Sequence, residues 1–146
     1  MIYHAVVDAP TYADMPHGTF ADLQVAVDMA VDALIDRQGR FDVIAVQGTS
    51  GMSIGFPVTL ELQRRGWQGK IVVVRKPDED SHQSYAGSSL VTGLKYNETL
   101  EGLRCLFLDD FVSEGATRRR VREAVEKTKG TLVAQYTSRD DAFQAL

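Results

Sequence analysis

Residues 105–108, Cys-Leu-Phe-Leu, form an apolar run that ends abruptly in two adjacent acids, Asp109 and Asp110. Phe111-Val112-Ser113-Glu114-Gly115-Ala116-Thr117 follows, and Arg118 opens a polar-apolar segment of helical spacing. A short apolar run bounded this way reads as a strand buried on both faces, the kind a parallel sheet contains. It delivers two carboxylates to its carboxyl end. The loop after it presents backbone N–H groups and hydroxyls at a helix start, where a phosphate binds well. Carboxylates for sugar hydroxyls beside amides for a phosphate point to a phosphorylated sugar as ligand.

The same strand–loop–helix pattern occurs earlier. Residues 41–47, Phe-Asp-Val-Ile-Ala-Val-Gln, read as a buried strand, followed by Gly48-Thr49-Ser50-Gly51 as a loop. From 54 to 65 the pattern is helical, with Ser53 as a candidate cap and Gly66 as the stop. Gly48, Gly51 and Gly55 give GxxGxxxG, which is not the dinucleotide fingerprint, and no Gly-Lys-Ser/Thr ending marks a triphosphate loop. Residues 70–74 form another strand, and Arg75-Lys76 place two cations at its carboxyl end. Residues 131–136 are a further strand, and residues 20–37 are a helix capped by Thr19. A helix over 116–129 ends at Gly130, with Val121, Ala124 and Val125 inward and Arg118, Arg119, Arg120 and Arg122 mostly towards water. In the tail, 137–146, Phe143 and Leu146 cover a core edge. Helix alternating with strand calls for a single α/β domain over 1–146, with a mostly parallel sheet of four to five strands and helices on both faces.

Two stretches resist this pattern. Residues 1–18, punctuated by Pro10 and Pro16-His17-Gly18, read as a loop segment, with a short strand at 2–7 and His17 as a solvated loop residue. Residues 78–97 are long, polar and weakly periodic, with a small hairpin over 88–91 and 93–96. A loop this long in a compact domain is functional or mobile, and an active-site lid carrying His82 is its natural job.

The bulk properties exclude more than they assign. A net charge of −4 argues against general nucleic-acid or membrane-surface binding. The single cysteine, Cys105, permits no internal disulfide and reads as a small buried hydrophobe, consistent with a reducing cytoplasm. The start of the chain lacks the pattern of a signal peptide, and no stretch approaches the ~18 apolar residues of a membrane span.

Residues 106–117, Leu-Phe-Leu-Asp-Asp-Phe-Val-Ser-Glu-Gly-Ala-Thr, resemble the phosphoribosyl-pyrophosphate (PRPP) motif of type I phosphoribosyltransferases. The order of the other segments over about residues 20–136 also resembles that family. Gln47 to Gly51 stands at its pyrophosphate loop, Arg75-Lys76 at the basic residues of orotate-type members, and 78–97 at its flexible catalytic loop, with residues 1–18 left for a small hood. The resemblance implies a Mg²⁺-dependent enzyme that moves ribose 5-phosphate from PRPP to a nitrogenous base, such as the pyrimidine orotate, with release of pyrophosphate. It implies catalytic roles for Asp109, Asp110, Lys76 and His82. The 5-phosphate would lie against Ser113, Glu114, Gly115, Ala116 and Thr117, and the pyrophosphate against Gly48, Thr49, Ser50, Gly51, Arg75 and Lys76. Mg²⁺ would meet Asp109 and Asp110 indirectly, through PRPP and water. A homodimer is a further expectation from the family.

Two positions depart from the family pattern. Glu114 stands where a small residue or Thr is usual, and a carboxylate turned to a phosphate would repel it by about 4 kcal/mol per charge pair at 4 Å; the favoured reading turns it outward. Ser113 stands where the 6-oxopurine enzymes carry a general-base Asp, which disfavours hypoxanthine and guanine. The alternative is a non-catalytic PRPP- or nucleotide-binding regulatory protein of the same fold. A phosphoacceptor receiver domain would carry its acid pair near the chain start, so position 109–110 argues against it.

Overall fold

The computed structural model describes residues 20–75, 91–94, 98–110, 112 and 114–146. In chain order the elements are α1 (Phe20–Ile35), β1 (Val43–Val46), α2 (Gly48–Arg64), β2 (Lys70–Val74), β3 (Val91–Thr92), β4 (Arg104–Asp109), α3 (Ala116–Lys127), β5 (Thr131–Thr137) and β6 (Ala142–Ala145). A single 3-10 turn at Gln38–Arg40 joins α1 to β1. Phe41 and Gln47 lie just outside the strand expected to include them.

The strands form one sheet in the order β3-β2-β1-β4-β5-β6. β2, β1, β4 and β5 run parallel, and β3 and β6 pair antiparallel at the two edges. The mostly parallel sheet with helices on both faces is the expected one; among the described residues it has six strands, against the four to five expected. β3 is one edge addition to the four strands read between 41 and 136, and the other is β6. Its sequence, Ala-Phe-Gln-Ala, carries little strand signal, and its regularity comes from pairing with β5. The guanidinium of Arg37 lies 4.6 Å from the ring centroid of Phe143 and ties that strand to the end of α1. Of the hairpin expected over 88–91 and 93–96, Val91 is described and pairs, with Thr92, onto Val74 and Val73 of β2; residues 88–90, 95 and 96 lie outside the described residues.

Side-chain alternation splits the core in two. Ile44 and Val46 of β1 and Leu106 and Leu108 of β4 pack under α1 and α2, against Val31, Leu34, Val58 and Leu62. Val43, Ala45, Cys105 and Phe107 point the other way and pack under α3, against Val121, Ala124 and Val125. All four β1 residues are fully buried, which is why the run shows no polar alternation. Each such aliphatic side chain contributes about 1.5–3 kcal/mol on burial. Burial also pushes the Cys105 thiol up to about 12, so it packs as a hydrophobe.

Helix ends depart from expectation at two points. Residues 48–53, expected as a loop and cap, are the first turns of α2. Ser53 lies inside the helix and its Oγ donates to the Ser50 carbonyl at 3.0 Å. Ser and Thr are tolerated in such a first turn, where the backbone donors are unpaired anyway. At the far end of α3 the left-handed residue is Lys129, at φ 71°, and the amides of Lys129 and Gly130 close on the carbonyls of Glu126 and Val125 at 2.9 Å. Gly130 is needed for space instead, because a Cβ there would lie 2.9 Å from Leu100 Cβ. Among the described residues no helix is long and apolar enough to cross a membrane.

Candidate active site

The chain passes from β1 through α2 to β2 on one side, then crosses to β4 on the other side of β1. The strand order therefore reverses between β1 and β4, and a crevice opens at their carboxyl ends. Asp109, the last residue of β4, sits there with only 5% of its surface exposed. Its Oδ1 accepts from the Asp110 amide at 2.9 Å and from the Ser50 hydroxyl at 3.3 Å. The acid pair and the start of α2 are thus joined directly, though 59 residues separate Ser50 from Asp109 in sequence.

Burial pushes the Asp109 carboxyl up to about 7, and its hydrogen bond to, and charge repulsion from, the Asp110 side chain add to the rise. The Asp110 amide and the Ser50 hydroxyl act in the opposite sense and do not outweigh it. Asp110 is half-buried. The β5–β6 turn is fastened to the backbone of the pair, with the Ser138 amide donating to the Asp109 carbonyl at 3.0 Å and the Arg139 amide to the Asp110 carbonyl at 2.7 Å.

Two helix starts flank the acids. Gln47 caps α2 with extended backbone, and Gly48 follows at φ +75°. No side chain caps the helix, so the free first-turn amides of residues 48–51 face the crevice end of the sheet. Gly51 lets this turn lie against the strands, since a Cβ there would stand 3.3 Å from Val46 Cβ and 3.8 Å from Asp109 Oδ1. Across the acids, Gly115 at φ +80° caps α3, again without a side-chain cap. Both helix starts have the open amide geometry that an anion needs. Arg75 lies just past β2 at the same edge and is buried.

Most expected site residues therefore share one edge: Gly48, Thr49, Ser50, Gly51, Arg75, Asp109, Asp110, Glu114, Gly115, Ala116 and Thr117. Lys76, His82 and Ser113 lie outside the described residues, as do His17, the 1–18 segment and most of 78–97. Glu114 is exposed, and its carbonyl accepts from Arg119 Nη1 at 3.2 Å. Among the described residues no three His, Cys, Asp or Glu side chains cluster as a metal cage. Two adjacent carboxylates still suit a hard cation that keeps waters and takes phosphate oxygens.

Three further side chains gather at this edge, of which only Gln47 was placed near the site by the sequence. Arg120, expected to face water, donates from Nε to Gln47 Oε1 at 3.1 Å and from Nη2 to Thr117 Oγ1 at 3.3 Å. Arg118, expected likewise, donates from Nη1 to Gln135 Oε1 at 2.9 Å. Gln47 is 3% exposed, and its Nε2 has no hydrogen-bond partner among the described residues. A run of three arginines shows no preference among its members; only the placement of α3 over β1 and β5 selects Arg118 and Arg120.

A carboxylate pair thus lies at the switch point of an open, mostly parallel sheet, between two uncapped helix starts, in the crevice where ligands bind in open α/β folds. More particularly, the architecture is the type I phosphoribosyltransferase fold. No family model and no curated protein matches the chain, so this assignment rests on solved structures. The chain is similar to adenine phosphoribosyltransferase from Thermoanaerobacter pseudethanolicus, with 25% identity, TM-score 0.60, and coverage of 80% of this chain and 67% of that one. It is similar to adenine phosphoribosyltransferase from Saccharomyces cerevisiae, solved with an imino-altritol bisphosphate and adenine, with 19% identity, TM-score 0.62, and coverage of 82% and 68%. It is also similar to orotate phosphoribosyltransferase from Francisella tularensis, with 12% identity, TM-score 0.63, and coverage of 82% and 52%. The chain thus spans about half the length of the orotate protein and about two thirds of the adenine proteins.

Proposed function

We propose that the protein transfers the 5-phosphoribosyl group of PRPP to a nitrogenous base and releases pyrophosphate. The observation that carries this reading is the bond between Ser50 and Asp109, which joins a carboxylate pair to one of two open helix starts at a single switch point. PRPP has the same three parts in the same order: pyrophosphate, ribose and 5-phosphate. In this reading the first-turn amides of α2, with Arg75 and Lys76, hold the pyrophosphate. The start of α3, from Ser113 to Thr117, holds the 5-phosphate. Asp109 and Asp110 accept from the ribose 2′- and 3′-hydroxyls.

The step forms a bond from a ring nitrogen to C1 of the ribose as the bond from C1 to the pyrophosphate oxygen breaks, and the electron pair leaves with pyrophosphate. Positive charge builds on the ribose in the transition state. The two acids face that charge, and the start of α2 and the cations face the departing anion, so the chain acts by positioning and charge stabilisation. Mg²⁺, when bound beside Asp109 and Asp110, neutralises charge on the pyrophosphate. His82 and its segment are assigned to closing the site against water.

The acceptor is proposed to be a base that needs no general base at Ser113, orotate among them. The protein is taken to work as a homodimer in the cytoplasm. The reading is tested by incubating the protein with Mg²⁺, PRPP and a panel of purine and pyrimidine bases while following pyrophosphate release. Release that depends on a base supports it. Activity that survives combined Asp109→Asn and Asp110→Asn removes the site assignment. PRPP binding without turnover on any base would instead support the second reading, a PRPP- or nucleotide-binding regulator, whose support is the departure of Glu114 from the family's phosphate-loop pattern.

A further inference from the structure

Arg120 belongs to neither helix start, yet it touches a residue of each. It reaches Gln47, the cap of α2, and Thr117, in the first turn of α3. A guanidinium only donates hydrogen bonds, so both partners must accept from it through oxygen. That requirement fixes the hydrogen positions of both. The Gln47 amide cannot flip, because its oxygen is held, and its NH₂ is left as a donor. The Thr117 hydroxyl accepts from Arg120 and keeps its own hydrogen for another acceptor.

The Gln47 donor is the telling group. Only 3% of the residue's surface is exposed, and Nε2 has no hydrogen-bond partner among the described residues. A buried, unpaired amide donor costs about 1–3 kcal/mol and calls for an explanation. It adjoins Gly48, where the free amides of α2 begin.

We propose that Arg120 is a positioning residue which orients Gln47 and Thr117 as donors and holds the two helix starts in one arrangement, so that a ligand carrying an anion at each end is read as a unit. The inference rests on the functional reading above and deepens it. A ligand that engages both starts gains from their fixed relation, whereas a ligand that engages one does not. Arginine suits this role and lysine does not, because only a fork reaches two acceptors along separate directions.

The test compares wild type with Arg120→Ala, Arg120→Lys and Gln47→Met for binding of PRPP, ribose 5-phosphate and pyrophosphate, with Mg²⁺ present, by calorimetry. The expected result is a loss of about tenfold or more in PRPP affinity for all three variants, within the usual range of coupling between sites. Each single-ended ligand should change by less than about threefold in the two Arg120 variants. Gln47→Met removes the unpaired donor together with the oxygen that accepts from Arg120, whose half-buried guanidinium reaches water, so it should unfold no more readily than wild type while still losing PRPP affinity. Stability and affinity then move apart, as a merely structural role would not allow.

If Arg120→Lys binds PRPP like wild type, or if all three ligands weaken alike in Arg120→Ala, Arg120 acts as a simple cation and the proposal is overturned. If wild type binds PRPP and no variant differs, the positioning role alone fails. If wild type binds none of the three ligands, the functional reading fails and this inference fails with it.

Discussion

Replacing Asp109 by Asn should stabilise the fold while abolishing PRPP binding, and the stability gain should depend on pH. The carboxyl is nearly fully buried and raised from 3.8 to about 7, chiefly by burial, so the folded state holds its proton more tightly than the unfolded chain does. A group raised in this way favours folding at low pH, and that advantage is lost as pH rises through the folded value. At 1.36 kcal/mol per unit, a rise from 3.8 to about 7 makes the ionised form cost about 4 kcal/mol above pH 7, of which about 2.5 kcal/mol is relieved between pH 8 and pH 5. Asn keeps an oxygen for the Ser50 hydroxyl and the Asp110 amide and has no charge to bury. Urea unfolding of both proteins at pH 5, 6, 7 and 8 isolates the effect of this coupled site, because titrating groups other than the neighbouring Asp110 cancel in the difference. The stability difference should widen by about 2–3 kcal/mol from pH 5 to pH 8 in favour of Asn. A difference that stays flat across that range would show that burial does not hold the Asp109 proton, and the reasoning would fail.

Other expectations concern the scaffold around the site. Gly55→Ala should destabilise by about 1–3 kcal/mol despite the better helix former, because the new Cβ would meet Val46 Cγ1 at 2.6 Å; denaturant midpoints measure this. Lys129→Gly should stabilise by about 0.5–1 kcal/mol by relieving a left-handed residue at φ 71°, read as a rise in melting temperature. Tyr136→Phe should cost about 1–2 kcal/mol, since the buried ring loses a hydroxyl that donates to Asp141 Oδ1 at 2.6 Å, and its effect should shrink in an Asp141→Ala background.

The parallel core was legible because its strands are buried on both faces. Val43–Val46 and Arg104–Asp109 carry unbroken apolar runs, and the acids that end the second run mark where burial stops. The glycines at the strand ends have physical reasons to be there: Gly48 and Gly115 take positive φ, and Gly51 lies too close to Val46 for a larger residue. The start of α2 was misread as a loop, because Gly, Thr and Ser are poor helix formers and their acceptance in a first turn depends on the strand that feeds it. β6 was missed for a similar reason. Its hydrogen bonds belong to β5, and its own residues are mostly exposed.

The sequence by itself determined the layers, the order of elements along the chain and the chemistry available at each strand end, because these follow from local pattern and residue type. The tertiary structure decided which of those ends meet. Reversal of strand order between β1 and β4 brought Ser50 within hydrogen-bonding distance of Asp109, and the packing of α3 over the sheet turned Arg120 back onto Gln47. Contacts across 59 and 73 residues depend on how whole layers are stacked, and no local spacing in the chain encodes that.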